Sequence, residues 1–538
     1  MHRSPDSRAS AIRSGARQPW WRTAVFYQVY VRSFADSDGD GVGDLAGIRE
    51  KLGYLHLLGV DALWLTPFYP SPMVDHGYDV ADPRDVDPLF GSLADFDALV
   101  AGAHALGLKV TIDLVPNHTS DRHADFAAAL AAAPGSPERA RYVFRDGRGS
   151  DGAQPPNNWH SIFGGPAWTR VADGQWYLHL FAAEQPDLDW TNPVVVADLE
   201  TTMRFWLDRG VDGFRIDVAH GMAKAAGLPD MDRPERRSTV PDPEGGQDPR
   251  FDVEEVHDVH RLIHRVLDSY PDRVSVGEVW VHTDERLARY VRPDELSLAF
   301  NFRLLQADWD AASLRAAIVD SLAAMDSVGA LTTWVLSNHD VVRHASRYAR
   351  GTDDEQTGRR RARAAALVQL ALPGVAFVYY GDELALPNAE LPDEALQDPV
   401  WERSGHRQRG RDGERVPMPW SGEKPPYEFS TAAKTWLPVP DSWADLTVEA
   451  QLEDPDSTLS LYRRALELRH DQPGFGGPGL EWFTGPEGCL AFRRPGGLLC
   501  ALNASAEAVP MPPGEILLAS GPVGEDGALP PDTAVWLV

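Results

Sequence analysis

Eight short runs rich in β-branched and aromatic residues recur along the chain, separated by stretches with the composition of helices. Such runs are typical of β-strands, and strands that alternate with helices constrain the fold to the α/β class with a parallel sheet. The runs begin at Val25, Ala62, Lys109, Gly213, Arg273, Leu296, Thr332 and Val375. Eight strand–helix units predict a (β/α)8 TIM barrel.

Three of the predicted strands are followed by unusually long segments, and these segments define the predicted domains. The segment after the third strand is rich in Gly, Pro, Asn and aromatic residues, and we interpret it as an inserted domain B. The others follow the fourth and eighth strands, on the face where barrel enzymes hold their active sites. Short strands and glycine turns near the C-terminus predict an antiparallel β-sandwich, domain C. The predicted division is a flexible tail 1–19, barrel segments 20–118 and 177–473, the insert 119–176 and the β-sandwich 474–538.

The composition excludes several classes of partner. The formal net charge of −29 gives a surface that repels nucleic-acid phosphates and anionic lipids, so neither nucleic acid nor membrane is expected as a partner. Two cysteines cannot build a disulfide framework or a cysteine-based metal site. The N-terminal region lacks the apolar core of a secretory signal, and no apolar run is long enough to span a bilayer. The expectation is a soluble cytoplasmic protein, and the sequence does not indicate an oligomeric state.

Polar side chains stand at the C-terminal ends of four predicted strands, where a purely structural strand has no need of them. Taken singly, each has an ordinary explanation, such as a helix cap, a turn or a structural ion pair. The residues are Asn117, His118, Arg215, Asp217, Glu278, His339 and Asp340. Because they occur at the same end of four barrel strands, the sequence predicts that they cluster around one mouth.

Three of these residues, Asp217, Glu278 and Asp340, are the acids that cleavage of a glycosidic bond requires. One carboxylic acid must protonate the leaving oxygen, and one carboxylate must attack the anomeric carbon or direct water at it. A third carboxylate can stabilise the positive charge of the transition state. Arg215, two residues before Asp217 on the same strand face, favours the ionised form of that carboxylate. The cluster therefore predicts a sugar-cleaving enzyme.

Four motifs, "DLVPNH", "GFRIDVAH", "GEVW" and "LSNHD", resemble the conserved regions of glycoside hydrolase family 13, the α-amylase family, and follow its order. The segments "QPDLDW" and "GRDGERVPMPW" are similar to its oligo-1,6-glucosidase and α-glucosidase branch. The resemblance implies Asp217 as nucleophile, Glu278 as acid/base and Asp340 as transition-state stabiliser. It also implies substrate-binding positions at Asp79, His118, Arg215, His339, Arg415, Phe163 and Phe181.

The function that this resemblance implies is a retaining, exo-acting α-glucosidase. Its substrates would be short maltose- or isomaltose-type oligosaccharides, cleaved through a covalent glucosyl-enzyme intermediate. The alternatives are a glucosyl transferase or isomerase such as trehalose synthase, and a non-catalytic relative, against which the three retained acids argue. Asp189 and Glu414 depart from the usual residues of the branch and bear on linkage preference. Val218, directly after Asp217, resembles the residue of α-1,6-acting members.

The loop "DSDGDGVGD" after the first strand places oxygen ligands at every second position, a spacing that suits a hard cation. The predicted ligands are Asp36, Asp38, Asp40, the Val42 carbonyl and Asp44. Position twelve is Gly47, so the bidentate glutamate of an EF-hand is absent. Four aspartates within nine residues repel one another unless neutralised, and the resemblance implies a bound ion in this loop. We predict a structural Ca²⁺ (or Mg²⁺).

Overall fold

The computed structural model describes residues 19–233, 248–352, 354–475, 477–524 and 527–538. The strands that precede the C-terminal region are β1 (Val25–Val29), β2 (Ala62–Leu65), β3 (Lys109–Leu114), β4 (Phe144–Asp146), β5 (Trp168–Arg170), β6 (Gln175–Leu178), β7 (Gly213–Ile216), β8 (Val274–Gly277), β9 (Leu298–Ala299), β10 (Thr333–Val335) and β11 (Val375–Tyr379).

Eight of these strands form a parallel sheet in the order β10-β11-β1-β2-β3-β7-β8-β9. The outer strands of this order, β9 and β10, are joined through Thr333. Its hydroxyl donates to the carbonyl oxygen of Ala299 (2.7 Å) and accepts from the backbone N–H of Asn301 (2.9 Å). The sheet therefore closes into a barrel, and each of the eight predicted runs supplies one strand. The (β/α)8 prediction is confirmed.

Helices surround the barrel, and their first residues explain where several of them begin. Ser92 and Asp95 form a capping box at the start of α4, and Asn192 caps α6. The helices are α1 (Val31–Phe34), α2 (Leu45–Glu50), α3 (Leu52–Leu58), α4 (Leu93–Ala105), α5 (Ala124–Ala131), α6 (Pro193–Asp208), α7 (Val256–Asp268), α8 (Asp284–Arg289), α9 (Arg303–Gln306), α10 (Ala311–Val328), α11 (His344–Arg347), α12 (Glu355–Ala371), α13 (Pro399–Arg403), α14 (Val448–Leu452) and α15 (Thr458–Asp471). Among the described helices, none has the length and apolar character to cross a membrane.

Aromatic side chains fill the barrel interior and support the polar residues above them. Phe26 stacks on Phe377 with ring centroids 4.7 Å apart, and Trp64 packs against Phe300 at 5.3 Å. The indole N–H of Trp64 donates to Asp113 Oδ2 (2.9 Å). The aromatic layer is thus in direct contact with the buried carboxylate of Asp113. The barrel interior is filled by side chains and is a core rather than a channel.

The segment between β3 and β7 carries a small antiparallel sheet in the order β4-β6-β5. The last of its strands, β6, ends at Leu178, two residues past the predicted border of the insert at 176. Phe163 and Phe181 of this segment share an apolar cluster with Val218 of the barrel. The insert is therefore packed directly onto the mouth of the barrel.

The C-terminal region contains two antiparallel sheets, as predicted. Its strands are β12 (Glu481–Phe483), β13 (Cys489–Arg493), β14 (Leu499–Asn503), β15 (Val509–Pro510), β16 (Ile516–Ala519), β17 (Ala528–Leu529) and β18 (Thr533–Leu537). Five pair in the order β12-β13-β14-β18-β16, and β15 pairs with β17. Leu499 and Val535 pack towards Leu529 of the smaller sheet. The opposite face meets α12, where the indole N–H of Trp536 donates to the Leu367 carbonyl (3.0 Å).

Candidate active site

One guanidinium, that of Arg215, connects three carboxylates at the C-terminal ends of neighbouring strands. Its Nη1 lies 2.6 Å from Oδ1 of both Asp113 and Asp217, and its Nη2 lies 2.5 Å from Glu278 Oε2. Arg215 is on β7 beside Asp113 of β3, while Asp217 and Glu278 directly follow β7 and β8. The structure thus brings together two of the predicted catalytic acids. Asp113 is a third partner that the sequence analysis missed.

The charges around Arg215 do not balance, because one cation faces three acids. Burial raises the pKa of Asp217 well above its usual value, and the charges of Glu278 and Asp113 add to the rise, although Arg215 opposes it. Burial likewise raises the pKa of Asp113 to about 6. The expectation that Arg215 by itself keeps Asp217 ionised is therefore incomplete. Asp113 and Asp217 therefore keep their protons to a higher pH than isolated carboxyl groups do.

Asp340 lies in the opposite electrostatic environment. Its Oδ1 accepts from Arg415 Nη2 (2.9 Å) and Arg411 Nη1 (3.0 Å), and its Oδ2 lies 3.3 Å from His339 Nε2. Burial favours the neutral acid, but the positive charges of Arg411 and Arg415 outweigh it and hold the pKa of Asp340 well below its usual range. Asp340 is consequently a fixed negative charge at neutral pH.

His339 is positioned by two further side chains that the sequence analysis did not single out. Gln28 Nε2 lies 2.7 Å from His339 Nδ1, and the Tyr78 hydroxyl lies 2.7 Å from its Nε2. Burial lowers the pKa of His339 well below its usual value and lowers that of His118 to about 4. Both imidazoles are therefore neutral at neutral pH and contribute hydrogen bonds rather than charge.

A cavity of about 290 Å³ opens over these residues. The three predicted catalytic acids line it, and so do four of the predicted substrate-binding residues, His118, Phe163, Phe181 and His339. Arg215 lies behind the carboxylates, with only 2% of its side chain exposed. Of the predicted catalytic and substrate-binding residues, all but Arg215, Asp79 and Arg415 line this one concave space.

Asp79 and Arg415 are not part of the cavity lining, and their neighbours Asp75 and Arg411 are. The Asp79 carboxylate is fully buried and accepts from the backbone N–H groups of Val74 (2.9 Å) and Asp75 (3.0 Å). Arg415 donates from Nε to the His339 carbonyl (2.8 Å), behind Asp340. In both motifs, the residue that lines the cavity stands four positions before the predicted one. The motifs "DHGYD" and "RDGER" carry the same residue type at both ends, so the sequence offers two equivalent candidates.

Arg411 is the residue that joins the loops around the cavity. Its Nη2 lies 2.9 Å from Asp75 Oδ1, its Nη1 lies 3.0 Å from Asp340 Oδ1, and its Nε lies 2.6 Å from Asp398 Oδ2. Gln185 extends the network, with its Nε2 placed 3.2 Å from Asp75 Oδ2 and 3.1 Å from His118 Nε2. The segments after β2, β6, β10 and β11 thus meet at one network of hydrogen bonds.

The three positions that bear on linkage preference occupy three different environments. Val218 lines the cavity, has a φ of 44°, which is strained for a β-branched residue, and donates its N–H to Glu278 Oε2 (3.1 Å). Glu414 is buried, with its Oε2 accepting from Asn388 Nδ2 (2.8 Å), and burial raises its pKa to about 8. Asp189 accepts from the Thr191 hydroxyl (2.6 Å). Of these three, only Val218 is part of the cavity lining.

The aspartate loop brings three of its five predicted ligands together. Carboxylate oxygens of Asp36, Asp38 and Asp40 lie within 4.8 Å of one another. Asp44 instead caps α2 by accepting from the Gly47 N–H (2.7 Å). Three convergent carboxylates are a donor set that fits Ca²⁺ or Mg²⁺. For Val42 and Asp44 the ligand assignment stays a prediction.

The barrel, the acids at its mouth and the inserted segment together define a glycoside hydrolase built on a (β/α)8 scaffold. The chain belongs to glycoside hydrolase family 13: residues 28–475 match the family model described as alpha amylase, catalytic domain. Residues 483–536 match a model described as a domain of unknown function, DUF3459. The family expected from the motifs is confirmed.

Known proteins similar to this chain cover nearly its full length. A probable alpha-glucosidase of Rhizobium meliloti is 41% identical over 507 residues, which are 91% of this chain and 90% of the relative. The crystal structure of the alpha-glucosyl transfer enzyme XgtA matches with a TM-score of 0.87 at 38% identity, covering 97% of this chain and 100% of that one. The trehalulose synthase MutB from Pseudomonas mesoacidophila matches with a TM-score of 0.86 at 30% identity, covering 97% and 100%.

Proposed function

We propose that this glycoside hydrolase is a retaining, exo-acting α-glucosidase that hydrolyses short α-glucosides of the maltose or isomaltose type. The observation that carries the proposal is the Arg215 guanidinium, whose adjacent nitrogens hold Asp217 and Glu278. Two acids on one guanidinium are close together, which favours the separation of about 5–5.5 Å of retaining enzymes over the wider spacing of inverting ones. The similarity to a probable alpha-glucosidase supports the same reading.

In the first step, Glu278 protonates the leaving oxygen while Asp217 attacks the anomeric carbon and forms a glucosyl ester. Glu278, now a carboxylate, then takes a proton from water as that water attacks the same carbon and releases Asp217. Asp340 stays ionised throughout because of its arginine partners, and it stabilises the positive charge of both transition states. The low pKa of Asp340 thus fits the role of a permanent negative charge beside the reacting carbon.

Four polar residues of the cavity lining would bind the hydroxyl groups of a terminal glucosyl unit. These are Asp75, His118, His339 and Arg411. Neutral imidazoles can form directional hydrogen bonds with hydroxyls, and so can charged side chains that a neighbouring side chain fixes in place. A cavity enclosed by these groups favours cleavage at a chain end, which supports exo action on short substrates.

The decisive experiment follows the products of purified enzyme on maltose, isomaltose, sucrose and trehalose. Proton NMR during the first turnovers should show α-glucose before mutarotation, because two displacements at the anomeric carbon restore its configuration. β-Glucose in excess of the amount that the reducing end of maltose or isomaltose releases would contradict retention, and turnover of none of the four sugars would contradict the hydrolase itself.

A second candidate function is glucosyl transfer or isomerisation, in which a sugar takes the place of water. The similarity to XgtA and to trehalulose synthase over nearly the whole chain favours this alternative. The same product analysis distinguishes the two functions. Free glucose that accounts for the consumed substrate indicates hydrolysis, whereas longer saccharides or isomers of the substrate indicate transfer.

We also propose that the aspartate loop binds a structural Ca²⁺ (or Mg²⁺). The loop packs against the segment after β11, with the Asp36 N–H donating to the Phe429 carbonyl (3.0 Å) and the Trp436 N–H donating to the Gly41 carbonyl (3.0 Å). An ion held by Asp36, Asp38 and Asp40 would therefore stabilise a long loop of the active-site face and not take part in the chemistry.

Removal of this ion by a chelator should lower the melting temperature. An ion at about 100 times its Kd stabilises a protein by about 2.7 kcal/mol, which corresponds to about 2–3 °C for a chain of this length. Differential scanning calorimetry with and without EDTA, followed by Ca²⁺ or Mg²⁺ addition, measures the change. Asp38→Asn should melt at the same temperature with and without EDTA. An unchanged melting temperature of the unmodified protein would contradict the site.

A further inference from the structure

The backbone directly after β7 forms a turn, residues 217–221, that begins at Asp217. Two N–H groups of this turn hold Glu278. Val218 donates to Glu278 Oε2 (3.1 Å), and Ala219 donates to the Glu278 carbonyl (3.0 Å). The φ of 44° at Val218 is one that a β-branched residue keeps only where the surrounding structure enforces it. The groups that enforce the turn therefore also contribute to the placement of Glu278.

One such group comes from helix α7, behind the turn. His260 is buried, and its Nε2 lies 2.9 Å from the Ala219 carbonyl oxygen. Because a carbonyl oxygen only accepts, Nε2 carries the ring proton and donates it. Burial lowers the pKa of His260 to about 3, so the imidazole is neutral near neutral pH. His260 thus joins α7 to the turn by a hydrogen bond between neutral groups.

The imidazole of His260 is fixed from its other sides as well. Its ring centroid lies 5.2 Å from that of Tyr290 and 6.3 Å from that of His257. His257 is itself held by Glu295, with 2.7 Å between its Nδ1 and the carboxylate. Ala219 is fully buried, so bulk water cannot take the place of the imidazole donor. The bond between α7 and the turn is therefore not one that solvent replaces.

The nucleophile is held by different elements from those that hold the acid. The Asp217 N–H donates to the Leu114 carbonyl of β3 (2.8 Å), and the Asp217 carboxylate accepts from Arg215 (2.6 Å). A disturbance that starts at the Ala219 carbonyl thus reaches Glu278 through the N–H groups of the turn. Asp217 keeps its contacts with β3 and with Arg215.

We propose that His260 is a positioning residue for the general acid, because its hydrogen bond to Ala219 fixes the turn whose N–H groups hold Glu278. The inference rests on the proposed function, since it adds a supporting residue to that same site. A buried carbonyl without a donor is unfavourable, so loss of His260 would rotate the turn and move both N–H groups away from Glu278. Proton transfer requires hydrogen-bond distance, and a small displacement of the acid therefore slows the steps that depend on it.

The test compares two substrates that need the acid to different degrees. Cleavage of maltose requires protonation of the leaving oxygen, whereas α-glucosyl fluoride releases fluoride with little help from an acid. His260→Leu should lower kcat/KM on maltose at least about tenfold and on α-glucosyl fluoride less than about threefold, since a general acid contributes about 10²–10⁴-fold. A purely structural defect, such as a smaller folded fraction, would lower both values by the same factor.

A conservative variant and a matched control complete the series. His260→Gln places an amide N–H near the position of Nε2 and should keep the ratio of the two kcat/KM values within about twofold of the unmodified enzyme. His264→Leu is the control, because His264 lies one turn further along α7 and contacts the Glu295 carbonyl (2.9 Å). It should leave the ratio unchanged. If His260→Leu does not fold by circular dichroism, His260→Asn tests the same bond, because its shorter amide does not reach Ala219.

The outcomes separate the positioning role from the proposed function. Equal losses on both substrates in His260→Leu, or an unchanged ratio, overturn the positioning role while leaving the α-glucosidase in place. A His260→Gln variant whose ratio falls as far as that of His260→Leu also overturns it, because the N–H donor would then not be the group that matters. Absence of turnover of both substrates by the unmodified enzyme contradicts the proposed function itself.

Discussion

Asp217→Asn is expected to lower kcat by at least about 10⁴-fold, the scale of loss when a hydrolase loses its nucleophile. The asparagine keeps the size of the side chain and can still accept a hydrogen bond from Arg215, but its amide cannot form the glucosyl ester. Steady-state kinetics with 4-nitrophenyl α-glucoside measures the loss. Circular dichroism and the melting temperature show whether the variant is folded.

A companion variant distinguishes a lost nucleophile from a disturbed site. Asp217→Ala opens space for azide, which can attack the anomeric carbon from the side that the carboxylate occupied while Glu278 protonates the leaving group. Excess azide should therefore restore turnover and give β-glucosyl azide. Activity above about 1% in Asp217→Asn, or an α-configured azide product, would argue against Asp217 as nucleophile.

Arg215→Met is expected to destabilise the fold by about 3–5 kcal/mol at pH 7, because removing one partner of a buried ion pair leaves uncompensated charge. Three carboxylates would lose their common cation. The loss should be largest at alkaline pH and smaller in acid. Without the cation the folded acids hold protons to a higher pH than the unfolded ones, so stability falls as pH rises.

Urea unfolding at several pH values measures this effect, and Arg209→Met provides the control. Arg209 also pairs with an aspartate, Asp97, but 27% and 49% of the two side chains are exposed. An exposed pair of this kind contributes at most about 1 kcal/mol. If Arg215→Met cost no more than Arg209→Met, the central role of Arg215 would be wrong.

The strand pattern and the motifs together predicted the barrel and the position of its active site. The eight runs are short and strongly apolar because strands of a parallel barrel are buried on both faces. The alternation of strands and helices can therefore be recognised in the sequence. The acids that follow β7, β8 and β10 stand at strand ends, and a closed barrel must bring such ends together. Local sequence therefore sufficed to predict that Asp217, Glu278 and Asp340 lie around one cavity, while their catalytic roles stay a prediction.

The remaining parts of the site depend on how loops fold against one another. The side chains of Asp75 and Asp79 point in different directions, because the Asp79 carboxylate accepts hydrogen bonds from the backbone N–H groups of the 74–75 turn. Arg411 and Arg415 share one motif and both contact Asp340, but Arg411 also pairs with Asp398 and Arg415 with the His339 carbonyl. No local pattern records which of two like residues turns towards the cavity, since that depends on segments far apart in sequence.

Arg411 has a thermodynamic consequence beyond its place in the wall. It links a loop after β2, a loop after β10 and the start of α13 through Asp75, Asp340 and Asp398. A sugar hydroxyl that bonds to Asp75 or Asp340 competes with the guanidinium for the same oxygens. Where a bound hydroxyl weakens these ion pairs, substrate binding and the ion pairs of Arg411 are reciprocally coupled, and each changes the other by the same free energy.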